Sequence, residues 1–283
     1  METGLGSNPV QFRDATYDAE QAEACHLALR VTPDAASYAL IETERNVVLA
    51  AGRLPVSEGE SMSVLLGRVL SEDTLASRFQ SVSLGVDRVP FALVPQALSE
   101  AAADLPAFSF GANVAHVRSL PVETLKAMYA FEMDPALEEV LHASFPHATT
   151  THSAACWIQT VQRKNRFVRG HQLHLDVDAT GMSVFLWNGA DLLLHNHFTT
   201  AGAFDVLYHA LNVCQQHDLQ AGDVQVRLTG QVEANDPLLG VLNEHFPQVE
   251  LNFGLDFQRM ALGLSRVKKQ YFAPLFNQYV CVS

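Results

Sequence analysis

Charged side chains are scarce in this chain of 283 residues, and basic ones are the scarcest. Only 17% of the residues are charged, and 31 acidic against 18 basic side chains give a formal net charge of −13. Proteins that bind nucleic acids usually carry a basic surface, so this balance argues against a nucleic-acid partner. The hydrophobic content of 48% is that of an ordinary globular protein, and the length suffices for two domains.

Cysteines and long apolar runs are also few. The four cysteines (Cys25, Cys156, Cys214 and Cys281) are scattered and form no CxxC pair, which predicts reduced thiols in a cytoplasmic protein. No apolar run approaches the roughly 20 residues of a membrane-spanning helix. The first residues lack a basic segment followed by an apolar core, so we expect no signal peptide and no membrane partner.

The common catalytic motifs are missing as well. The sequence contains no nucleophile elbow, no Walker-type loop and no glycine-rich dinucleotide fingerprint, and it therefore indicates no catalytic residue. Two basic clusters, at residues 163–169 and 266–269, stand out against the acidic background. We interpret them as solvated faces, with a specific anionic partner as the alternative.

The most informative segment is 174–253, which has the pattern of one complete αβ unit. The pattern predicts strands over 174–178, 182–187 and 192–198, a helix over 204–217, a strand ending at Gly230, a helix opening at Asp236 and a strand over 249–253. Three strands, helix, strand, helix and strand is the order of an RNase H-like unit.

The first half of the chain repeats this pattern more faintly. Strands are predicted over 26–31, 37–42 and 47–54, and an amphipathic helix follows with its apolar stripe between Met62 and Leu70. Further strands are predicted over 81–86, 89–94, 114–118 and 125–131, and helices from Asp134 and over 152–162. We therefore predict an α/β fold with mixed sheets and two RNase H-like domains, 1–166 and 167–283.

Two carboxylates at the end of the first strand of the second unit are the strongest candidate site. Alternate strand residues face the same way, so His174, Asp176 and Asp178 are expected on one face. Asp176 and Asp178 could hold a divalent metal or position a water molecule for phosphate chemistry. The alternative is a structural strand end, in which Asp178 contacts the backbone before the turn at Thr180 and Gly181.

Several segments together resemble a known family over nearly the full length of the chain; they are 91–95, 144–146 with His152, 192–198, 204–208 and 228–230. The chain resembles an uncharacterised domain-of-unknown-function family, best known from Bacteroidetes, with an actin-like, duplicated RNase H-like architecture. It is more distantly similar to the actin-like ATPases of pilus assembly and cell division. The resemblance implies a nucleotide site made of Asp176, Asp178, Thr180, Gly181 and Gly230.

The chain departs from the active ATPases at three positions of that site. Arg30 stands where the first phosphate hairpin has a metal-organising acid, and Asp178 replaces the glycine of the second hairpin. Two like charges 4 Å apart repel by about 4 kcal/mol at an intermediate dielectric. Gln231 replaces the second glycine of the adenosine motif. We therefore expect no cofactor and disfavour ATP with Mg²⁺.

These observations lead to one main hypothesis and two alternatives. The main hypothesis is a non-catalytic, actin-like scaffold or binding protein with a protein partner or self-association. The first alternative is nucleotide- or metal-dependent phosphate-ester chemistry in the cleft between the two halves, centred on Asp176 and Asp178. The second is an RNase H-type nuclease, which needs several converging carboxylates; Asp205 could add one, but Gly230 stands at the end of the fourth strand.

Overall fold

The computed structural model describes residues 9–15, 17–18, 20–75, 78–101, 113–251 and 259–282. In chain order its strands are β1 (Val10–Arg13), β2 (Cys25–Val31), β3 (Ala35–Glu42), β4 (Val47–Pro55), β5 (Ser81–Val86), β6 (Phe91–Pro95), β7 (Val117–Val122), β8 (Ala127–Glu132), β9 (Thr149–His152), β10 (His171–Val177), β11 (Gly181–Asn188), β12 (Asp191–Thr199), β13 (Val224–Gly230), β14 (Val249–Leu251) and β15 (Arg259–Met260). Its α-helices are α1 (Met62–Leu70), α2 (Gln96–Ala101), α3 (Pro135–Ser144), α4 (Ser153–Lys164), α5 (Ala203–Gln216), α6 (Pro237–Asn243) and α7 (Lys269–Val282).

The chain divides into two compact units. Among the described residues, the first unit contains 9–160, 259–267 and 274–282, and the second contains 161–251 and 268–273. The chain thus passes into the second unit after residue 160, and two later segments return to the first. The halves expected from the sequence are contiguous, whereas these units are not. No helix in the described part of the chain is both long and apolar enough to cross a bilayer.

The first unit is built on a mixed sheet with the strand order β1-β4-β3-β2-β5-β9, and β15 also pairs with β4. Strands β2, β3 and β4 form an antiparallel meander, and β5 and β9 continue the sheet in parallel with β2. All residues of β2 and β3 are buried, because side chains on both faces of this sheet are covered. A separate antiparallel sheet, β6-β8-β7, lies between β5 and α3 in sequence.

The second unit has one five-stranded sheet with the order β12-β11-β10-β13-β14. Its first three strands are an antiparallel meander, and β13 and β14 add in parallel. The core on one face joins the apolar residues of β10, β11 and β13 to those of α5 and α6. This order repeats β4-β3-β2-β5-β9, so the predicted α/β fold with two RNase H-like units is confirmed.

Most predicted elements are present, with ends that differ by a few residues. The strand predicted over 114–118 is wrong in its first part, because Val114–His116 form a 3₁₀ turn and β7 begins only at Val117. Strand β14 ends at Leu251, and the rest of the strand predicted over 249–253 lies outside the described residues. Strand β9 and helix α7 were not predicted at all.

Candidate functional site

Asp176 lies at the carboxyl end of β10, where it is held by the neighbouring parallel strand. Its side chain is buried, with 6% of the residue exposed. Strand register places it beside Thr229 of β13, and the Thr229 hydroxyl donates a 2.8 Å hydrogen bond to Asp176 Oδ1. One carboxylate oxygen is therefore engaged by a side chain of the same unit.

Asp178 closes the turn that follows β10. The residue is buried, its Oδ1 accepts the Ala179 N–H at 3.1 Å, and its own N–H donates to the Gly181 carbonyl at 2.8 Å. Thr180 is exposed, and its carbonyl accepts the Thr200 N–H at 3.1 Å. The structure thus brings Asp178, Thr180 and Gly181 together in one hairpin turn, and Asp178 makes the backbone contact of the structural interpretation.

Gly230 has a structural reason to be glycine. Its φ of +88° lies in the left-handed region, and a Cβ there would stand 2.0 Å from the Val177 carbonyl oxygen. The next residue, Gln231, is buried, and its N–H donates to that same oxygen at 2.7 Å. The close approach of β13 to β10 therefore requires this glycine whether or not a nucleotide binds.

The third polar residue on this strand face, His174, carries no charge near neutral pH. His174 shares the Asp176 face of β10, and its Nε2 lies 3.3 Å from Gln172 Oε1. Burial, followed by the charges of Arg227 and Lys164, lowers the pKa of His174 to about 3, so the ring is neutral at physiological pH. Asp176 and Asp178 offer the oxygen ligands that Mg²⁺ prefers. Within the described residues, no three His, Cys, Asp or Glu side chains are grouped so that they could hold a metal ion.

Ser183 and His197 extend the polar row of Thr229 and Asp176 across the sheet. Register places Ser183 opposite Asp176 and His197 opposite Ser183. The Ser183 residue is only 2% exposed. Sequence reasoning missed Thr229 and Ser183, although the alternation of the three strands, once aligned in register, would have placed them on the Asp176 face.

The corresponding turn of the first unit, between β2 and β3, is closed by its own threonine. Thr32 Oγ1 accepts the N–H groups of Asp34 at 3.2 Å and of Ala35 at 3.1 Å, and the Thr32 N–H donates to the Ala35 carbonyl. Backbone N–H groups at such a turn are the donors that hold a phosphate in nucleotide-binding hairpins. Here they donate to a side-chain oxygen of the same turn.

Buried ion pairs occupy the same end of this sheet. Arg30 Nη2 lies 2.7 Å from Asp87 Oδ2, with both side chains almost fully buried. A second buried pair joins Arg88 Nη2 to Asp34 Oδ2, also at 2.7 Å. Burial alone would raise the pKa of Asp87, but the charges of Arg30 and His152 outweigh it and hold that pKa well below its usual range. Asp87, which immediately follows β5, was not identified from the sequence.

The charges beside the first turn are balanced within the same unit. Arg30 and Arg88 face Asp87 and Asp34, so two positive charges meet two negative ones. The third carboxylate proposed for a nuclease, Asp205, is exposed, and its Oδ2 accepts the Ala201 N–H at 2.7 Å. It therefore stabilises the start of α5.

Comparison with solved structures identifies the fold. A crystal structure from Bacteroides thetaiotaomicron VPI-5482, of a protein with an actin-like ATPase fold and unknown function, matches with a TM-score of 0.72 and 18% identity over 84% of this chain and 94% of that one. The PilM-PilN type IV pilus biogenesis complex matches with a TM-score of 0.59 and 15% identity over 93% of this chain and 98% of that one. At such identities the likeness shows the fold alone, which is that of the actin-like ATPases.

No curated protein matches the sequence significantly. A family model described as "Protein of unknown function (DUF3822)" matches residues 14–249, which is most of the chain. The resemblance seen in the sequence is thereby confirmed, and the chain belongs to the DUF3822 family.

Proposed function

We propose that this protein is a non-catalytic, actin-like scaffold or binding protein in which the phosphate-binding turns have become structural. The observation that carries the proposal is the use of the turn N–H groups. Those of Asp34 and Ala35 donate to Thr32, and that of Ala179 donates to Asp178. A phosphate would have to displace these oxygens and, in the second turn, approach a carboxylate.

Isothermal titration with ATP and Mg²⁺ tests this proposal. The expected result is no binding up to about 1 mM nucleotide, and micromolar binding with measurable hydrolysis would refute it.

An Asp178→Gly variant addresses the cause, because it restores the glycine of an active phosphate hairpin. We expect it to bind ATP more tightly than the wild type. The matched control is Asp218→Gly, which changes an exposed aspartate at a φ of +55° and should leave nucleotide binding unchanged. Equal effects of the two substitutions would show that charge in general, and not the turn, limits binding.

The alternative proposal is phosphate-ester chemistry that uses a metal or nucleotide at Asp176 and Asp178, with Thr180, Gly181 and Gly230 nearby. The observation in its favour is that both carboxylates are buried at one end of β10. Titration with Mn²⁺ and hydrolysis of p-nitrophenyl phosphate test it. The control is Asp191→Asn, at an exposed aspartate at the start of β12. If Asp176→Asn changes neither Mn²⁺ binding nor phosphatase activity relative to this control, the alternative fails.

We also propose a cytoplasmic location and a protein partner or self-association. All four cysteines are free thiols, which suits a reducing compartment.

Phe204 and Tyr208, one turn apart on α5, are 75% and 64% exposed, and exposed aromatic groups are common at protein interfaces. Light scattering over a range of concentrations tests self-association, and a Phe204→Ser/Tyr208→Ser variant should remain monomeric if this face is used.

A further inference from the structure

The basic segment 163–169 links α4 to β10 in the second unit and contains a 3₁₀ turn (Asn165–Phe167). Its cationic residues Arg163, Lys164, Arg166 and Arg169 are all exposed. Phe167 lies among them in sequence and is 91% exposed. This turn therefore presents one large apolar side chain together with several cations.

The turn is held rigidly despite its exposure. The Asn165 side chain is buried and donates to Gln172 Oε1 at 3.0 Å. The Val168 N–H donates to the Asn165 carbonyl, and the Gly189 N–H donates to the Gly170 carbonyl. Phe167 is therefore displayed by a fixed backbone, and little ordering would accompany its contact with a partner.

Three of the cations are free to meet an external anion. Five other arginines, namely Arg30, Arg45, Arg68, Arg88 and Arg118, pair with carboxylates of this chain. Among the described residues, Arg163, Arg166 and Arg169 have no such partner, although the chain has 31 acidic residues. These three arginines therefore keep their positive charge available to an external anion.

We propose that this turn is a docking site for an anionic lipid surface, with Phe167 entering the headgroup region and the arginines contacting lipid phosphates. Without the four cations of the turn, the chain has 14 basic and 31 acidic side chains, a balance of −17. An anionic bilayer would repel the rest of the molecule and attract this turn. The same charge distribution would fix the orientation of the protein on the membrane.

The shape of the turn favours a bilayer over other anionic partners. An acidic peptide would pair with the arginines alone and could not add a strand here, because the Val168 and Gly189 N–H groups already donate within the protein. A bilayer needs only an exposed apolar group with cations around it. The contact is peripheral, and it departs from the expectation of no membrane partner, which rested on the lack of a spanning apolar run and of a signal peptide.

Fluorescence provides a direct test. Trp157 and Trp187 are buried, so their emission should not change when vesicles are added. A Phe167→Trp variant of the full chain is mixed with vesicles of phosphatidylcholine and phosphatidylglycerol. Its emission should shift to the blue and be quenched by brominated acyl chains, and vesicles of phosphatidylcholine alone should have no effect. The matched control is Val64→Trp, at an apolar residue of α1 that is 61% exposed, which should not respond.

Charge reversal separates the turn from general attraction. Arg166→Glu/Arg169→Glu should lower vesicle partitioning at low salt by at least about tenfold, whereas Arg266→Glu/Lys269→Glu, which reverses two exposed cations elsewhere, should leave it unchanged. Unchanged melting temperatures would show that the variants fold. The proposal is overturned by absent vesicle binding, by equal effects of the two charge changes, or by a turn-dependent preference for single-stranded RNA over vesicles.

Discussion

At the scale of single residues, Gly230 shows how a residue of an expected ligand site can be fixed by packing. A Gly230→Ala substitution would place a methyl group against the Val177 carbonyl, at a φ that disfavours alanine. We expect a loss of at least roughly 2 kcal/mol in the free energy of unfolding, measured by urea denaturation. Gly240→Ala in α6 is the control, because nothing beyond the backbone of the helix itself lies within 4 Å of the added methyl group. This substitution should stabilise the protein by about 0.5–1 kcal/mol.

The Arg30–Asp87 pair leads to a second prediction. Arg30→Ala would remove the main countercharge of the buried Asp87 carboxylate, and the loss of one partner costs roughly 3 to 5 kcal/mol in comparable pairs. Removal of Arg45 from its pair with Glu42 should cost less than about 1 kcal/mol, because the Arg45 side chain is 70% exposed. Urea denaturation of both variants makes the comparison. Similar losses would contradict the importance assigned to the buried pair.

The third prediction concerns pH and His174. The pKa of His174 is about 3 in the folded protein and about 6.5 when the chain is unfolded. As pH falls between these values the unfolded state takes up the proton first, so stability present above about pH 6.5 is lost on acidification. The largest slope that one such group can give is about 1.4 kcal/mol per pH unit.

His174→Gln should therefore flatten the pH dependence of stability. Between about pH 7 and about pH 4.5 it should lose about 2 kcal/mol less than the wild type. Burial also lowers the pKa of His26, to about 4. Because His26 is still present in the variant, part of the pH dependence of stability should remain. An exposed-histidine control, His142→Gln on α3, should follow the wild-type curve, and an identical curve for His174→Gln would contradict the argument.

At the scale of elements, α7 serves both units by different residues. Its first turn belongs to the second unit, where Gln270 Nε2 donates to the Val232 carbonyl at 3.0 Å. Its later residues belong to the first unit, where Gln278 Nε2 donates to the Leu29 carbonyl and to Ser83 Oγ. One helix therefore hydrogen-bonds to the segment after β13 in the second unit and to β2 and β5 in the first.

Two truncations should separate these roles, with hydrogen exchange as the measurement. Removal of residues 274–283 should speed exchange in β2 and β5 and leave β13 protected. Removal of 268–283 should additionally speed exchange around residues 230–233. The shorter deletion serves as the control for the longer one, and faster exchange in β13 after the shorter deletion would contradict the division of α7.

At the scale of the whole molecule, the sequence predicts the repeated unit because the evidence for it is local. Each signal can be recognised from a few consecutive residues, as for the apolar stripe of Leu65, Leu66 and Val69 and for the helix caps at Asp134 and Asp236. Strand β9 is short and rich in threonine, and its pairing partner β5 lies far away in sequence. Pro274, inside α7, resembles a helix break.

The candidate site was only partly predictable for a similar reason. Asp176 and Asp178 were identified because alternation places them on one strand face. The roles of Thr229 and Asp87 depend on which strands are neighbours, and strand order cannot be obtained from a single strand. Arg30 was recognised as out of place in the sequence, but its compensation by a carboxylate 57 positions away required the fold.

The division of α7 also bears on how the protein acquires its structure during synthesis. The Leu29 carbonyl of β2 accepts a hydrogen bond from a donor that lies 249 positions further along the chain. The hydrogen bonding of the sheet that is translated first is therefore completed late in synthesis. The second unit needs only residues up to 273. Domains usually mature in the order of translation. In this protein the Leu29 hydrogen bond can form only after the residues of the second unit have been translated, so the last step of that order is reversed.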